Sequence, residues 1–366
     1  MISSLGVGSA LVKRASSFGD GPDGPMYEPP SWAYIVFLVD FLILLPIFVY
    51  VTYTLSAMYP IFAMVEDENP PAYEPVSLND DTASFSAEDS ERQGGSAPAV
   101  IGDKPVTSSI RAINRILKAN GGFKANLRGA VCLFAQTILV AFFSGIFSAS
   151  LGSFFTPIAT LLTSLALVQL STAWVHIVLT PHSSLPFYRR LPPFKRTFDA
   201  TWKAVALLWV AMEFIRWVPP VMAAFMGVYI PGIWAFGTVP DSPAGPWEMF
   251  WKVLVINCVS FIASIYVTLP PQIILVRVQA SLLPEDQTTV IPFDRSFEGT
   301  VEPAVVGGKG YATIKDAWST FSKTAWRRLL ILIAKVTAIS FAFFLSTGLV
   351  MGLQFTIISK FSHERS

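Results

Sequence analysis

Residues Thr268 to Gln287 read TLPPQIILVRVQASLLPEDQ. The stretch opens as the end of an apolar helix and finishes as a charged loop. A double proline sits in its apolar half, and Arg277 and Gln279 follow two residues apart. Proline lacks a backbone donor and marks a kink when it stands inside a helix. What such an exit means depends on the rest of the chain. Of its 366 residues 52% are hydrophobic and 14% charged, and mean hydropathy is +0.53. A soluble domain carries about a quarter charged residues, so this composition is that of a polytopic membrane protein.

A membrane-spanning helix needs roughly 20 mostly apolar residues. Six stretches meet that length: about Trp32–Met64, Gly129–Ser148, Phe154–Leu179, Ala204–Val228, Trp247–Val276 and Leu329–Ile357. Pro46 and the pair Pro219–Pro220 add further kink sites. The loops after spans 1, 3 and 5 hold seven, five and seven Lys/Arg, which is 19 of the 26 in the chain. Lys13, Arg14, Lys360 and Arg365 in the tails fall on the opposite face. An even number of spans with both tails on the poorly basic side satisfies this asymmetry. Net charge of +1 gives no argument for a nucleic-acid partner.

Residues 65–108 are acidic and rich in Pro, Ser and Gly, and read as a disordered loop able to bind a protein partner. The first 20 residues place Lys13 and Arg14 after a short apolar run, the reverse of a secretory signal. They share the lack of acid of transit peptides but not their arginine content, and with the following Gly/Pro run they read as a disordered tail.

Each basic-side loop also ends in an amphipathic segment that runs into the next span. The first places Ile110, Ile113, Ile116 and Leu117 against Arg111, Arg115 and Lys118. The second spaces Phe194, Phe198 and Trp202 by four, and the third carries Ile314, Trp318, Phe321 and Ala325. Each finishes on a bulky apolar residue followed by a base: Leu127-Arg128, Trp202-Lys203 and Trp326-Arg327. An interfacial helix lying on the bilayer, followed by a turn inward, accounts for the pattern.

Span, loop, surface helix and span, three times over, resembles the mitochondrial carrier family of solute carriers. NLRGAV (Asn126–Val131) keeps that family's base and glycine at Arg128 and Gly129, and LPPQIILVRVQ keeps Pro270, Arg277 and Gln279. The resemblance implies an all-α integral membrane protein of six transmembrane helices, arranged as three tandem two-helix repeats with interfacial amphipathic helices. Repeat 1 would cover 32–148, repeat 2 149–228 and repeat 3 247–357, between tails 1–31 and 358–366. It also implies that Arg128, Gly129, Pro270, Arg277 and Gln279 serve as gate and brace. The family's acidic positions hold Phe62, Ser183 and Gln272 here, and its basic positions Val65, Pro186 and Leu275. Its ring of gate ion pairs is therefore missing from the motif register.

Ionisable groups inside spans are expensive and mark function. Asp40, His176, Lys252 and Lys335 stand in spans 1, 3, 5 and 6, and Glu213 and Arg216 stand three apart in span 4. Glu213 and Arg216 form a mutual pair or contact substrate, and His176 satisfies a backbone carbonyl. Carrying the family's contact points eight residues beyond each base gives Gln136, Ala211 with Met212, and Lys335. These imply a solute site, anionic if Lys335 faces it; otherwise Lys335 snorkels or pairs with Glu213 or Asp40. Three histidines and two cysteines, scattered, form no metal set, and no cofactor or catalytic constellation is expected. The chain reads as a carrier of a small metabolite across a mitochondrial membrane, inner rather than outer, with membrane lipids around it. The alternative is a non-transporting carrier-like scaffold, fusion or insertion factor of the outer membrane.

Overall fold

The computed structural model describes residues 27–28, 30–67, 105–228, 245–284, 286–302, 307–361 and 363–364. Most of the acidic loop, the N-terminal tail through residue 26 and the end of the C-terminal tail lie outside the described residues.

Five helical stretches are long and apolar enough to cross a membrane: Ser31–Val65, Lys124–Leu151, Phe194–Phe225, Trp247–Ser281 and Lys323–Phe361. A sixth consists of two helices, α5 (Thr156–Ala166) and α6 (Val168–Leu179), which meet at Leu167 with a bend of 56°. All six expected spans fall on these helices, and the chain is an α-helical multi-pass membrane protein. The first stretch comprises α1 (Ser31–Val49), a π-helical run Tyr50–Met58 and α2 (Tyr59–Val65). Pro46 and Pro60 stand on either side of that run, and a missing proline N–H is one cause of such local widening. The remaining helices are α3 (Ile110–Ala119), α4 (Ala130–Leu151), α7 (Phe194–Phe225), α8 (Pro246–Ser281), α9 (Ile314–Ser319) and α10 (Lys323–Phe361). Both proline pairs lie within continuous helices, Pro219–Pro220 in α7 and Pro270–Pro271 in α8.

Residues up to Val51 and from Thr337 onward make one compact unit, and Thr52–Val336 make another. In the first, Trp32 meets Phe361 and Phe48 meets Phe344, each edge to face at 6.2 Å. Tyr27–Glu28 pairs antiparallel with His363–Glu364. In the second, α7 and α8 pack on each other, and their core joins Ala204, Val205, Ile274 and Val278 with Val168 of α6 and Ala317 of α9.

Burial in this second unit is graded along the helices. In α4, which starts on the basic side, only Cys132 in its first turn is buried. In α8, which ends there, every residue from Pro271 to Ser281 except the half-buried Gln272 is buried, while its first half is mostly exposed, with Ile256 its one buried residue among those described. The two helices run in opposite directions, so both gradients point to a core at the basic-side end.

The amphipathic segments take three different forms. The first is a separate helix, α3, burying Ile113 and Leu117. The second is not a separate surface helix but the first turns of the 32-residue α7, with Phe194 stacked on Phe198 at 5.8 Å. Nothing between Phe194 and Ala204 breaks a helix, since no Gly or Pro occurs there. The third is the six-residue α9, closed by a capping box in which Thr313 and Asp316 bond each other's backbone amides.

Candidate functional site

A layer of buried polar side chains lies within the basic-side core. At the end of span 1, Glu66 is withdrawn from solvent and accepts hydrogen bonds from the amides of Val106 (2.5 Å) and Thr107 (3.0 Å) and from the Thr107 hydroxyl. Arg328, near the start of α10, faces the same carboxylate at 3.7 Å. The pair is almost fully desolvated, the side chains being 1% and 9% exposed. Neither residue was singled out from the sequence; the available signal was an acid at the edge of span 1 and a second base beside Arg327.

Arg277 is buried on α8. Its guanidinium donates to the Met64 carbonyl (3.3 Å) and the Thr320 hydroxyl (2.7 Å), and lies over the rings of Phe297 (4.9 Å) and Phe321 (5.5 Å). Phe297 and Glu298 both have positive φ, at 50° and 59°, a backbone that non-glycine residues rarely adopt. That turn sets the Phe297 ring against the arginine. Asp294 braces it by accepting from Ser296 and from the Glu298 amide at 2.8 Å. Burial alone would raise the Asp294 carboxyl, but these hydrogen bonds outweigh it and hold its pKa below the usual value.

Helix α6 ties the layer together. Ser171 accepts from the Gln279 side-chain amide at 2.9 Å, and His176 Nε2 contacts the Gln279 carbonyl at 2.8 Å, as expected for a histidine satisfying a backbone carbonyl. Trp174 donates to the Tyr53 hydroxyl (3.3 Å), which itself donates to the Arg128 carbonyl. Arg128 donates to the Thr180 carbonyl, just past the end of α6. Gly129 follows with φ of 77°, and a Cβ there would sit 3.0 Å from Trp174 and 3.1 Å from the Tyr53 hydroxyl. The glycine is thus required twice, by its backbone and by its neighbours.

Of the residues read as gate and brace, Arg128, Gly129, Arg277 and Gln279 therefore enter this layer, while Pro270 lies in α8 before it. The residues read as substrate contacts are placed elsewhere. Glu213 and Arg216 form an ion pair with each other at 3.1 Å. Ala211 is buried in α7, and its neighbour Met212 is exposed. Gln136 is half-buried, with an Oε1 that has no hydrogen-bond partner among the described residues. Lys335 is exposed and its ammonium reaches the Ser108 carbonyl at 3.4 Å. Lys252 pairs with Glu248 at 2.7 Å, and Asp40 Oδ2 is buried without a partner among the described residues. No group of three or more metal-capable side chains occurs among the described residues. No protein-family model matches the chain, and no curated protein or solved structure is significantly similar to it.

Proposed function

We propose that the chain is a carrier that moves a small metabolite by alternating access, with the basic-side polar layer as its closed gate. The observation that carries the reading is the burial gradient. The membrane helices of the second unit are packed and cross-bonded at the basic-side end and mostly exposed toward the other, where a small cluster of Ala223, Val228 and Ile256 is buried. A bundle shut at one end and loosely packed at the other matches one state of such a cycle. The break at Leu167 adds to it, since interrupted membrane helices recur where transporters bind solute. Gln136, with its unpaired oxygen, and Lys335 are the groups proposed to meet the solute, which is anionic where Lys335 takes part. The three-repeat arrangement and a mitochondrial membrane, inner rather than outer, belong to this proposal and rest on the resemblance alone.

The test is sidedness of access. In a Cys132→Ala/Cys258→Ser background, Gln136→Cys in oriented vesicles is expected to react with a membrane-impermeant maleimide from the poorly basic side. Adding Arg328→Gln, which removes one half of the buried pair, is expected to open reaction from the basic side. A cysteine at 136 that stays silent from both sides, or a pattern that Arg328→Gln leaves unchanged, overturns the proposal in favour of a static scaffold.

A further inference from the structure

Phe297 and Glu298 stand one after the other in the left-handed region, and Gly299 follows at φ of 79°. Only the glycine adopts that backbone freely. In the other two, Cβ crowds the following carbonyl oxygen. Such strain persists only where the surroundings over-determine the conformation. Here the turn is held from behind by its own polar groups. Asp294 accepts from the Ser296 amide and hydroxyl (2.8 and 2.7 Å) and from the Glu298 amide (2.8 Å). Val301 returns an amide to the Ser296 carbonyl at 2.9 Å. Arg295 donates to the Pro284 carbonyl at 2.5 Å, which ties the turn to the chain just past α8.

In front, the turn is docked on the polar layer. The Phe297 ring is buried and meets the Arg277 guanidinium. Arg277 in turn reaches the Met64 carbonyl in α2 and the Thr320 hydroxyl just before α10. The Asp67 amide donates to the Pro292 carbonyl at 3.0 Å, a second tie between the end of span 1 and this loop. The strained residues thus lean on the groups that an opening of the layer must separate. Beside the ring lies a cavity of about 100 Å³, lined by Val65, Arg277, Phe297, Glu298, Ser322 and Ala325 among others. Voids of that size are few in a close-packed interior, and this one gives the ring a path off Arg277.

We propose that the turn Asp294–Gly299 is a strained latch, held in its left-handed backbone while Phe297 covers Arg277 and relaxing when Arg277 withdraws. Its role in gating rests on the carrier reading above. In the closed state the contact between ring and guanidinium keeps the backbone strained. In the open state that contact is gone, and residues 297 and 298 return to the right-handed or extended region. The strain released offsets part of the cost of breaking the buried bonds of the layer, so a tightly bonded gate can still open. A static turn would keep the same backbone in both states and would bias neither.

The test compares glycine with alanine at position 298. Both substitutions remove the same exposed carboxylate, and only glycine relieves the backbone. Ala325, buried beside the cavity, is replaced by cysteine in the full-length Cys132→Ala/Cys258→Ser protein in oriented vesicles. Its reaction with an impermeant maleimide from the basic side reads how often the latch is off. Glu298→Gly is expected to react about threefold or more slowly than Glu298→Ala, because glycine eases the closed backbone by more than its extra freedom favours the open one. Phe297→Leu, which loses the ring contact with Arg277, is expected to react about threefold or more faster than the parent. Equal rates for glycine and alanine at 298 overturn the latch. Gln136→Cys in the same variants separates the two readings. A difference at 325 with a cysteine at 136 silent from both sides keeps the latch and overturns the carrier; a cysteine at 136 that Arg328→Gln exposes, with equal rates at 325, keeps the carrier and overturns the latch.

Discussion

Replacing Glu66 by glutamine tests the proposed gate at its most heavily used side chain. The carboxylate accepts from two backbone amides and a hydroxyl while compensating Arg328, all with almost no solvent access. Glutamine is nearly isosteric but turns one acceptor into a donor facing those donors, and it leaves Arg328 buried without its charge partner. At 3.7 Å the gross attraction is about 4 kcal/mol for an effective dielectric near 20. Desolvation takes back much of that in the intact pair, but removing one partner of a buried pair costs about 3–5 kcal/mol. Glu66→Gln is therefore expected to destabilise by about 3 kcal/mol. Arg328→Met alone is expected to cost less, because Glu66 keeps its amide donors. The double variant should cost less than the two single costs added together, as expected for coupled neighbours. The assay is thermal unfolding in micelles read by a thiol-reactive fluorophore at Cys132, which is buried, in a Cys258→Ser background. Glu66→Gln melting like the parent, or single costs that simply add, would refute a coupled buried pair.

Three further outcomes follow from the same layer. Gly129→Ala forces a Cβ into the left-handed region and against Trp174 and Tyr53; it is expected to lose about 1–2 kcal/mol from backbone conformation, with partial recovery on Tyr53→Phe, measured by the same melts. Arg277→Lys keeps the charge but cannot span Met64 and Thr320 while stacking between two rings; about 2 kcal/mol or more should be lost, and a variant as stable as wild type would show that the fork is not used. The folded pKa of Asp294 is depressed, so its contribution is present above its unfolded pKa and disappears as pH falls through the lower folded value. Melts from pH 6 to 3 should show a small loss at the acid end that Asp294→Asn removes; an identical pH profile in the variant would contradict the hydrogen-bonded turn.

The membrane helices were legible because length and hydropathy alone define them, and the asymmetry of basic residues marked the end where the polar layer lies. The bend at Leu167 was not legible, as no Gly or Pro marks it. Its neighbourhood does show Thr163 and Ser164 bonding back to the Ala159 and Thr160 carbonyls, both at 2.8 Å, and such back-bonding bends helices. The separate α3 and the fused second segment differ for a readable reason: Gly121, Gly122 and Gly129 interrupt the first, and nothing interrupts the second. Arg277, Gln279, Arg128 and Gly129 were named from the motif, but their partners were not. Tyr53, Ser171, Trp174, Thr180 and Thr320 lie 43 to 121 residues from the groups they hold, and neither periodicity nor spacing carries information over that distance.

The proposed gate differs in kind from the ring of ion pairs of the family that the chain resembles, whose charges are missing from the motif positions here. Arg277 and Arg128 spend their donors on the carbonyls of Met64 and Thr180 rather than on carboxylates. Glu66 and Arg328 form the buried ion pair of this layer, and the carboxylates of Asp67, Glu298 and Asp294 act on Arg277 through space. Opening a ring of ion pairs strands several charges of each sign, whereas opening this layer breaks one ion pair and otherwise exposes guanidinium groups, carbonyls and hydroxyls that water can satisfy. The proposed transition should therefore depend weakly on ionic strength, with its salt sensitivity centred on the Glu66–Arg328 contact. In the accessibility experiment at position 136, raising salt in the parent should change basic-side reaction little, and Arg328→Gln should remove what dependence there is. A steep salt dependence that survives Arg328→Gln would mean that other charges hold the gate.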